Sequence, residues 1–199
     1  MSRLRLYKES TLDTLVSLAG SYGSADETDS LDADAGEIDI AELWAAGEQT
    51  PLAAALDDSA VYLDLTAARF AGETYLVLQC EDEQMLVTAD GGTTAPRVER
   101  GYNNTDAVEH AAGARVYAAY DYQRATIEAV ETGTPDSDYV VEYSLDGVTY
   151  ASKLSLGYIS MTGSCKIWRR VTVSAGAPGA IKTDIIHRLA AGIDQMEAA

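Results

Sequence analysis

Residues 138–150, DYVVEYSLDGVTY, carry the clearest structural signal in the chain. Two sets of side chains alternate here with the period of a β-strand: Val140, Glu142 and Ser144 on one face, and Val141, Tyr143 and Leu145 on the other. Asp146-Gly147 follows, and Asp-Gly is a preferred pair for the type I′ turn that joins antiparallel strands. The stretch therefore predicts a β-hairpin.

Short strand signals of the same kind recur along the chain at intervals of roughly ten residues. They lie at 37–46, 59–65, 73–80, 83–92, 96–101, 115–119, 120–130, 157–163, 165–173 and 183–195. In the first we expect Ile38 and Ile40 to face inward together with Leu43. The segments 157–163 and 165–173 are expected to pair around Gly163, and for 183–195, which also has helical spacing, we favour a strand. Many short strands without an amphipathic helix predict an all-β fold of sandwich or barrel modules.

The charge balance is strongly acidic: 32 Asp and Glu against 14 Lys and Arg, with a net charge of −18. Such a surface repels nucleic-acid phosphates and anionic lipid headgroups, so neither nucleic acid nor a membrane is an expected partner. Only four of the bases are lysines, and this acid-rich, lysine-poor, alanine-rich composition resembles that of proteins from haloarchaea and their viruses. At molar salt the Debye length falls to about 3 Å, so repulsion between carboxylates costs little. The alternative is an acidic mesophilic protein from a GC-rich genome.

Apolar content and the start of the chain set further limits. Hydrophobic residues make up 47% of the chain, enough for a packed core. No apolar run approaches the ~20 residues that cross a bilayer. The opening MSRLRLYKES has two arginines without an apolar stretch behind them, so no secretory signal is predicted.

Neither the cysteines nor the acidic segment matches a metal-site pattern. Cys80 lies in an apolar run and is expected in the core, and a disulfide with Cys165 is compatible with the sequence but not indicated by it. The segment 26–39 has Asp32 and Asp34 at calcium-loop spacing but lacks the third ligand and the terminal bidentate glutamate. We therefore expect a solvated acidic loop, and no metal or cofactor.

The stretch 51–117 resembles a small β module that recurs in structural proteins of tailed phages. The similarity rests on PLAAALDDSAVYLDLTAARFAG, YLVLQCEDEQMLVTADGG and RVERGYNNTDAVEHAAGARVY. Its motif residues are Glu83, Arg100, Gly101, Thr105, His110 and Gly113. The resemblance implies a small β-barrel or tulip-like module and a place in the virion, without indicating where in the particle.

The flanks carry a weaker similarity to the two halves of a phage-type β-sandwich. It rests on LYKESTLDTLVS in the N-terminal part and on YSLDGVTY and KIWRRVTVSAGAPG in the C-terminal part. Together the two resemblances imply a sandwich made of residues 1–50 and 118–199, interrupted by the module at 51–117.

The residues with catalytic potential are better explained structurally. The resemblance implies that His110 is a structural turn residue whose ring nitrogens are satisfied by backbone groups, whereas a catalytic histidine would need partners within hydrogen-bond reach. His187 likewise has no serine or cysteine motif assigned to it. Arg100 is expected to clamp a loop or a carboxylate, with Gly101 supplying a positive φ.

Two further polar groups are assigned to turns. The acidic cluster Glu81-Asp82-Glu83 is expected at a hairpin tip, and the resemblance implies a local structural bond for Glu83. The N-x-T sequence at Asn103 marks an exposed loop and permits glycosylation.

Three function classes follow. The first is a virion structural protein of a tailed virus, non-enzymatic, forming a homo-oligomer and contacting other virion proteins, with the tail or baseplate favoured over capsid decoration. The second is a receptor- or glycan-binding module that uses Trp44, Trp168 and exposed tyrosines. The third, an enzyme, has no motif that assembles a nucleophile, a base and an orienting acid.

Overall fold

The computed structural model describes residues 3–16, 36–89, 94–133, 137–177 and 185–195. Within these ranges the chain forms twelve β-strands, one short 3-10 turn at Tyr102–Asn104, and no α-helix. The strands are β1 (Leu4–Tyr7), β2 (Glu37–Gly47), β3 (Gln49–Pro51), β4 (Val77–Cys80), β5 (Glu83–Ala89), β6 (Arg97–Glu99), β7 (Arg115–Ala118), β8 (Tyr120–Glu131), β9 (Tyr139–Ser144), β10 (Lys153–Ile159), β11 (Ser164–Val173) and β12 (Ile185–Gln195). The predicted all-β class is confirmed. The strand favoured at 183–195 is also confirmed, as β12.

No helix in the described part of the chain is long and apolar enough to cross a membrane.

The strands belong to two compact units. The sandwich unit comprises Met1–Ala46, Tyr122–Ile159 and Gly163–Gly192, and the inserted unit comprises Gly47–Asp121, Ser160–Thr162 and Ile193–Ala199. The resemblance to the phage module implied an insertion at 51–117. The main segment of the inserted unit thus begins four residues earlier (47 against 51) and ends four residues later (121 against 117).

The sandwich unit contains two antiparallel sheets, with strand orders β1-β2-β11-β9 and β10-β8-β12. β2 and β11 pair without interruption from Glu37↔Val173 to Ala46↔Ser164. One face of the first sheet is buried, and Tyr143 on that face contacts His187 of β12. The contact joins the two sheets, and the arrangement is consistent with a β-sandwich-like fold.

Strand pairing in this unit differs from two predicted hairpins. After Asp146-Gly147 the chain makes one bridge, Tyr143↔Ala151, and continues as β10 in the other sheet, while β9 pairs with β11. The strands on either side of Gly163, β10 and β11, also lie in different sheets. The pairing around Gly163 was predicted wrongly, and the predicted hairpin is reduced to that single antiparallel bridge, because alternation identifies a strand but does not specify its partner.

The predicted orientation of β2 was wrong at two of its three positions. Ile38 and Ile40 are 59% and 54% exposed, whereas Leu43 is buried as predicted. Side chains alternate along a strand, so the register that buries Leu43 and Ala45 turns Ile38 and Ile40 outward. Asp39 is on the inner side instead, where it pairs with Arg169.

The inserted unit is built on one five-stranded antiparallel sheet with the order β3-β7-β4-β5-β6. Its core is aliphatic apart from one phenylalanine, one methionine and one cysteine, and it contains Leu52, Leu56, Leu63, Leu65, Phe70, Leu76, Leu78, Cys80, Met85, Val87, Val98, Val116 and Ala118. Cys80 is in this core as predicted.

The described strands of this sheet do not close into a barrel, and β3 and β6 are its two edges. The segment 59–65, expected to be a strand, forms only isolated bridges. On one side its Leu63 N–H donates to Pro96 O just before β6 (3.1 Å), and on the other its Asp64 O accepts from the Ala53 N–H just after β3 (2.7 Å). This irregular segment therefore covers the β6 edge and the end of β3, which protects backbone groups there from pairing with other chains.

A buried ionic network as the candidate functional site

The turn between β4 and β5 places one glutamate in the interior of the protein and another at its surface. Cys80 pairs with Glu83, so Glu81 and Asp82 form the tip of a tight hairpin, with Glu81 at a φ of 51°. The acidic cluster was expected at such a tip. Glu83, however, is the first residue of β5 and its side chain is completely buried, whereas 62% of the Glu81 side chain is exposed.

Arg100 neutralises Glu83 through two parallel contacts. Its Nε lies 2.6 Å from Oε1 of Glu83 and its Nη2 lies 2.7 Å from Oε2. The guanidinium also donates to three backbone carbonyls, those of Asp57 (2.7 Å), Ala60 (3.1 Å) and Val108 (2.6 Å). Arg100 thus holds a carboxylate and two loops at once, and the fork geometry of arginine suits this task better than a lysine ammonium.

His110 lies between both glutamates. Its Nε2 is 2.8 Å from Oε2 of Glu83, and its Nδ1 is 2.8 Å from Oε2 of Glu81. The expectation that backbone groups satisfy the ring was wrong, because the β4–β5 turn brings two carboxylates to the imidazole. An ionised carboxylate only accepts hydrogen bonds, so both contacts are made at once only when both ring nitrogens carry hydrogen. The backbone of His110 separately exchanges two hydrogen bonds with Leu56. The side chains of Glu81, Glu83, Arg100 and His110 are called the Glu83 network below.

Gly101 completes the coordination of Glu83. Its N–H donates to Oε1 of Glu83 at 3.1 Å, and the Val108 N–H donates to Oε2 at 3.3 Å. Gly101 has a φ of 63°, and a Cβ at this position would lie 2.9 Å from the carbonyl oxygen of Thr105. Glycine is therefore required both for the backbone conformation and for the space.

Thr105 and Gly113 fix the loop between β6 and β7. The Thr105 hydroxyl accepts from the Gln84 N–H (3.0 Å) and donates to the Tyr102 carbonyl (2.8 Å). Gly113 has a φ of 87°, and its N–H donates to the Leu52 carbonyl at 2.9 Å. The sequon residue Asn103 also belongs to this loop, and its Nδ2 donates to Oε1 of Gln84.

The electrostatics of the site keep Glu83 ionised. Burial opposes its ionisation, but hydrogen bonds from Arg100, His110, Gly101 and Val108 outweigh burial and lower the pKa of the carboxyl. The neighbouring Cys80 behaves in the opposite way: burial first, and then the charges of Glu81 and Glu83, raise the pKa of its thiol to about 12. Cys80 is thus a core residue with an unreactive thiol.

The network is arranged for cohesion rather than for proton transfer to a ligand. Both oxygens of Glu83 already accept from protein donors, and the carboxylate has no exposed surface. A general base must reach the proton of a substrate, and Glu83 does not. A shallow, open depression of about 400 Å³ lies beside the network, lined in part by Asp58, Arg97 and Arg100.

Other residues singled out in the sequence lie apart from this network, in the sandwich unit. His187 contacts the Tyr143 hydroxyl through Nδ1. Lys166 lies 4.6 Å from the ring centroid of Trp168 and 5.8 Å from that of Trp44. Cys165 is a free thiol, as is Cys80.

The calcium-like pair Asp32 and Asp34 lies outside the described residues. Among the residues that are described, no group of three or more His, Cys, Asp or Glu side chains is placed to hold a metal ion.

Four of the six motif residues thus meet at one carboxylate, because Arg100, Gly101 and His110 all bond Glu83. Thr105 bonds the neighbouring Gln84, and Gly113 bonds Leu52. Sequence reasoning missed Glu81 as a partner of His110, and it missed the backbone carbonyls that receive Arg100. Glu81 was visible only as part of an acidic run, and carbonyls carry no sequence signal.

Comparisons of the chain with protein-family models, with curated proteins and with solved structures gave no significant match.

Proposed function

We propose that this chain is a structural protein of a tailed-virus particle that acts through contacts with other virion proteins, in the tail or baseplate rather than as capsid decoration. The observation that carries the proposal is the convergence of Arg100, Gly101 and His110, residues of the phage-module resemblance, on the buried carboxylate of a fourth, Glu83. Residues far apart in sequence but joined in this way behave as parts of one module.

The design of the scaffold supports a mechanical role. The Glu83 network ties the 57–60 loop, the β4–β5 turn and the 100–110 loop together across the inserted unit. A buried charge network that is fully hydrogen-bonded fixes one arrangement of its loops, because removal of Arg100 or of Glu83 leaves the other as an uncompensated buried charge. A rigid module whose loops are already ordered loses little conformational entropy when it docks against another protein. This property suits a protein that acts as a component of a virus particle.

The alternative is a receptor- or glycan-binding module, for which Trp44 and Trp168 are the candidate residues. The structure brings these side chains onto adjacent strands, but the Lys166 ammonium lies over the Trp168 ring and also bonds Glu42 at 2.7 Å. A sugar stacking on that face would have to displace the lysine. Contacts with protein partners therefore explain the residues better than a sugar platform does.

Mass spectrometry of purified particles from the virus that encodes this chain tests the proposal. We expect the chain among the virion proteins at a low, symmetry-related copy number, which corresponds to a tail or baseplate position. Hundreds of copies would indicate capsid decoration and correct the position. Absence from intact particles, or saturable binding of the isolated chain to host glycans, would overturn the structural role in favour of another class.

A further inference from the structure

Histidine is the residue type that changes charge near neutral pH, and the Glu83 network contains one, His110. The side chain of His110 has no exposed surface, and its backbone is fixed by two hydrogen bonds with Leu56, each 2.9 Å long. The ring therefore cannot turn out into solvent when its charge changes. A change in its protonation has to be accommodated by the groups around it.

The charged groups at this ring come from two parts of the inserted unit. The β4–β5 turn supplies Glu81 and Glu83, each with one carboxylate oxygen 2.8 Å from a ring nitrogen. The loop after β6 supplies Arg100, which bonds Glu83 rather than the ring. Three further titratable groups adjoin these residues without a hydrogen bond to the ring: the buried Cys80 thiol, the Asp57 carboxylate, which bonds Ser59, and the exposed Glu109.

Only one charge state of the ring satisfies both glutamates. A doubly protonated ring donates to each carboxylate, and together with Arg100 it balances their two negative charges. A neutral ring carries hydrogen on one nitrogen and presents a lone pair from the other to a carboxylate oxygen 2.8 Å away. Two acceptors at this distance repel each other, so one of the two contacts has to open when the ring loses a proton.

The two contacts differ in how firmly the glutamate is held. Glu83 has no exposed surface, and Arg100 and two backbone N–H groups also donate to its oxygens. The Glu81 side chain is 62% exposed and belongs to the tip of the turn, where water can replace the ring as its partner. The hydrogen that remains on a neutral ring is therefore on Nε2, facing Glu83, and the contact at Nδ1 opens.

We propose that His110 is a pH-sensitive latch for the tip of the β4–β5 turn. At neutral pH the ring holds both hydrogens and fixes Glu81. As the pH rises, the ring loses the hydrogen on Nδ1 and releases Glu81, while Glu83 stays bound.

The latch acts on an exposed and conformationally unfavourable piece of backbone. Glu81 has a φ of 51°, a left-handed conformation that is unfavourable for a residue with a Cβ, so the tip relaxes once its side chain is released. The Gln79 side chain still donates to the Glu81 carbonyl at 2.6 Å and keeps the chain turned. Any contact that a partner makes through this tip therefore weakens at alkaline pH. The latch is a property of the folded chain and requires no particular role in a particle.

The test is ¹⁵N NMR spectroscopy of the histidine rings in the full chain, across a pH series at constant salt. The chain has two histidines, and His187 in the sandwich unit is the internal reference. We expect both nitrogens of His110 to carry hydrogen at neutral pH, and Nε2 alone to carry it at alkaline pH. The backbone amide signals of Glu81 and Asp82 should change over the same pH range as the ring. The amide signal of Gly101, which bonds Glu83, should not.

The decisive variant is Glu81→Gln, which removes the charge at the tip and leaves Glu83 in place. Loss of this partly exposed charge should raise the ratio of neutral to doubly protonated His110 at a given pH by about 3- to 10-fold. The matched control is Glu109→Gln, which removes the same charge from an exposed neighbour of His110 in the chain. It should leave the ratio unchanged. Circular dichroism checks that both variants keep the fold.

Three results would overturn the latch. They are a neutral His110 ring at neutral pH in the unaltered chain, tip amides that do not follow the ring, and equal effects of the two glutamine variants. The first two are measured on the unaltered chain, so the proposal can fail even where a variant does not fold.

Discussion

The two units of this protein use charge in opposite ways. In the inserted unit a carboxylate without exposed surface is surrounded by an arginine, a histidine and two amide groups. In the sandwich unit the carboxylates of Glu42, Glu128 and Glu142 pair with basic residues at the surface. The inner pair Arg169–Asp39 has a buried guanidinium, but its carboxylate stays partly exposed. A buried ion pair holds its loops in place, because solvent screens it little. An exposed ion pair neutralises surface charge but adds little stability, because solvent and salt screen it.

Lowering the salt concentration should reduce the stability of the fold more than any substitution below. It should act through the acidic surface rather than through the Glu83 network. If the composition indicates a halophile, diluting KCl from molar to millimolar restores repulsion among the carboxylates and the chain unfolds, reversibly. Circular dichroism against salt concentration measures this. A melting temperature that stays flat or falls as salt is added would remove the halophilic interpretation.

Removing the central arginine should have the next largest effect. Arg100→Ala leaves Glu83 buried without its counter-charge and should destabilise the inserted unit by about 3–5 kcal/mol. The matched control is Arg170→Ala in the sandwich unit, which also loses a glutamate partner and a tyrosine stacking contact but at the surface; about 1 kcal/mol is expected.

Tryptophan fluorescence separates these two effects, since both tryptophans, Trp44 and Trp168, belong to the sandwich unit. In denaturant titrations Arg100→Ala should shift the circular dichroism transition ahead of the fluorescence transition. Equal losses from the two arginine variants would mean that burial of the network has no special energetic role.

The glycine beside the arginine should show a smaller loss. Gly101→Ala combines a left-handed backbone with a Cβ 2.9 Å from the Thr105 carbonyl, and the strain and the overlap together should cost about 2–4 kcal/mol. Gly113→Ala is the control: its φ of +87° is also left-handed, but no atom lies within 4 Å of the added Cβ, so about 1–2 kcal/mol is expected. Thermal melts of both variants give the difference, and a loss at Gly113 that matches or exceeds the loss at Gly101 contradicts the steric argument.

The smallest expected change in stability is the one caused by lowering the pH. The pKa of Glu83 is lower in the folded chain than its ordinary value of 4.5, so the unfolded chain binds the proton more readily. The stabilisation from Glu83 is therefore present at neutral pH and is lost as the pH falls through 4.5 towards the folded pKa.

We expect Glu83→Gln to reduce the slope of stability against pH in this acidic range, measured by denaturant titration at constant salt. Glu128→Gln serves as the comparison, because Glu128 also has a lowered pKa, caused first by its hydrogen bond with Lys153, but lies at the surface. An unchanged slope in Glu83→Gln would show that the network does not keep its charge.

How far the sequence predicted the site depended on the kind of residue. Arg100 and Gly101 could be assigned roles because a guanidinium seeks a planar acceptor and a glycine permits a positive φ wherever they occur. The partners of His110 could not be assigned, since Glu81 and Glu83 lie nearly thirty residues away in sequence and reach the ring only through the β4–β5 turn. Ile38 and Ile40 were misassigned for a related reason: alternation is visible locally, but which face is inner depends on the sheet that packs against it.

The sequence by itself determined that the chain is all-β, where most of its longer strands lie, and that the chain is strongly acidic, because these properties follow from local periodicity and composition. Only the tertiary structure decided which strands pair, that Glu83 rather than a backbone group meets His110, and that two isoleucines face outward. Those outcomes depend on contacts between residues far apart in the chain, and local physical chemistry does not choose among the many such contacts open to short, similar strands.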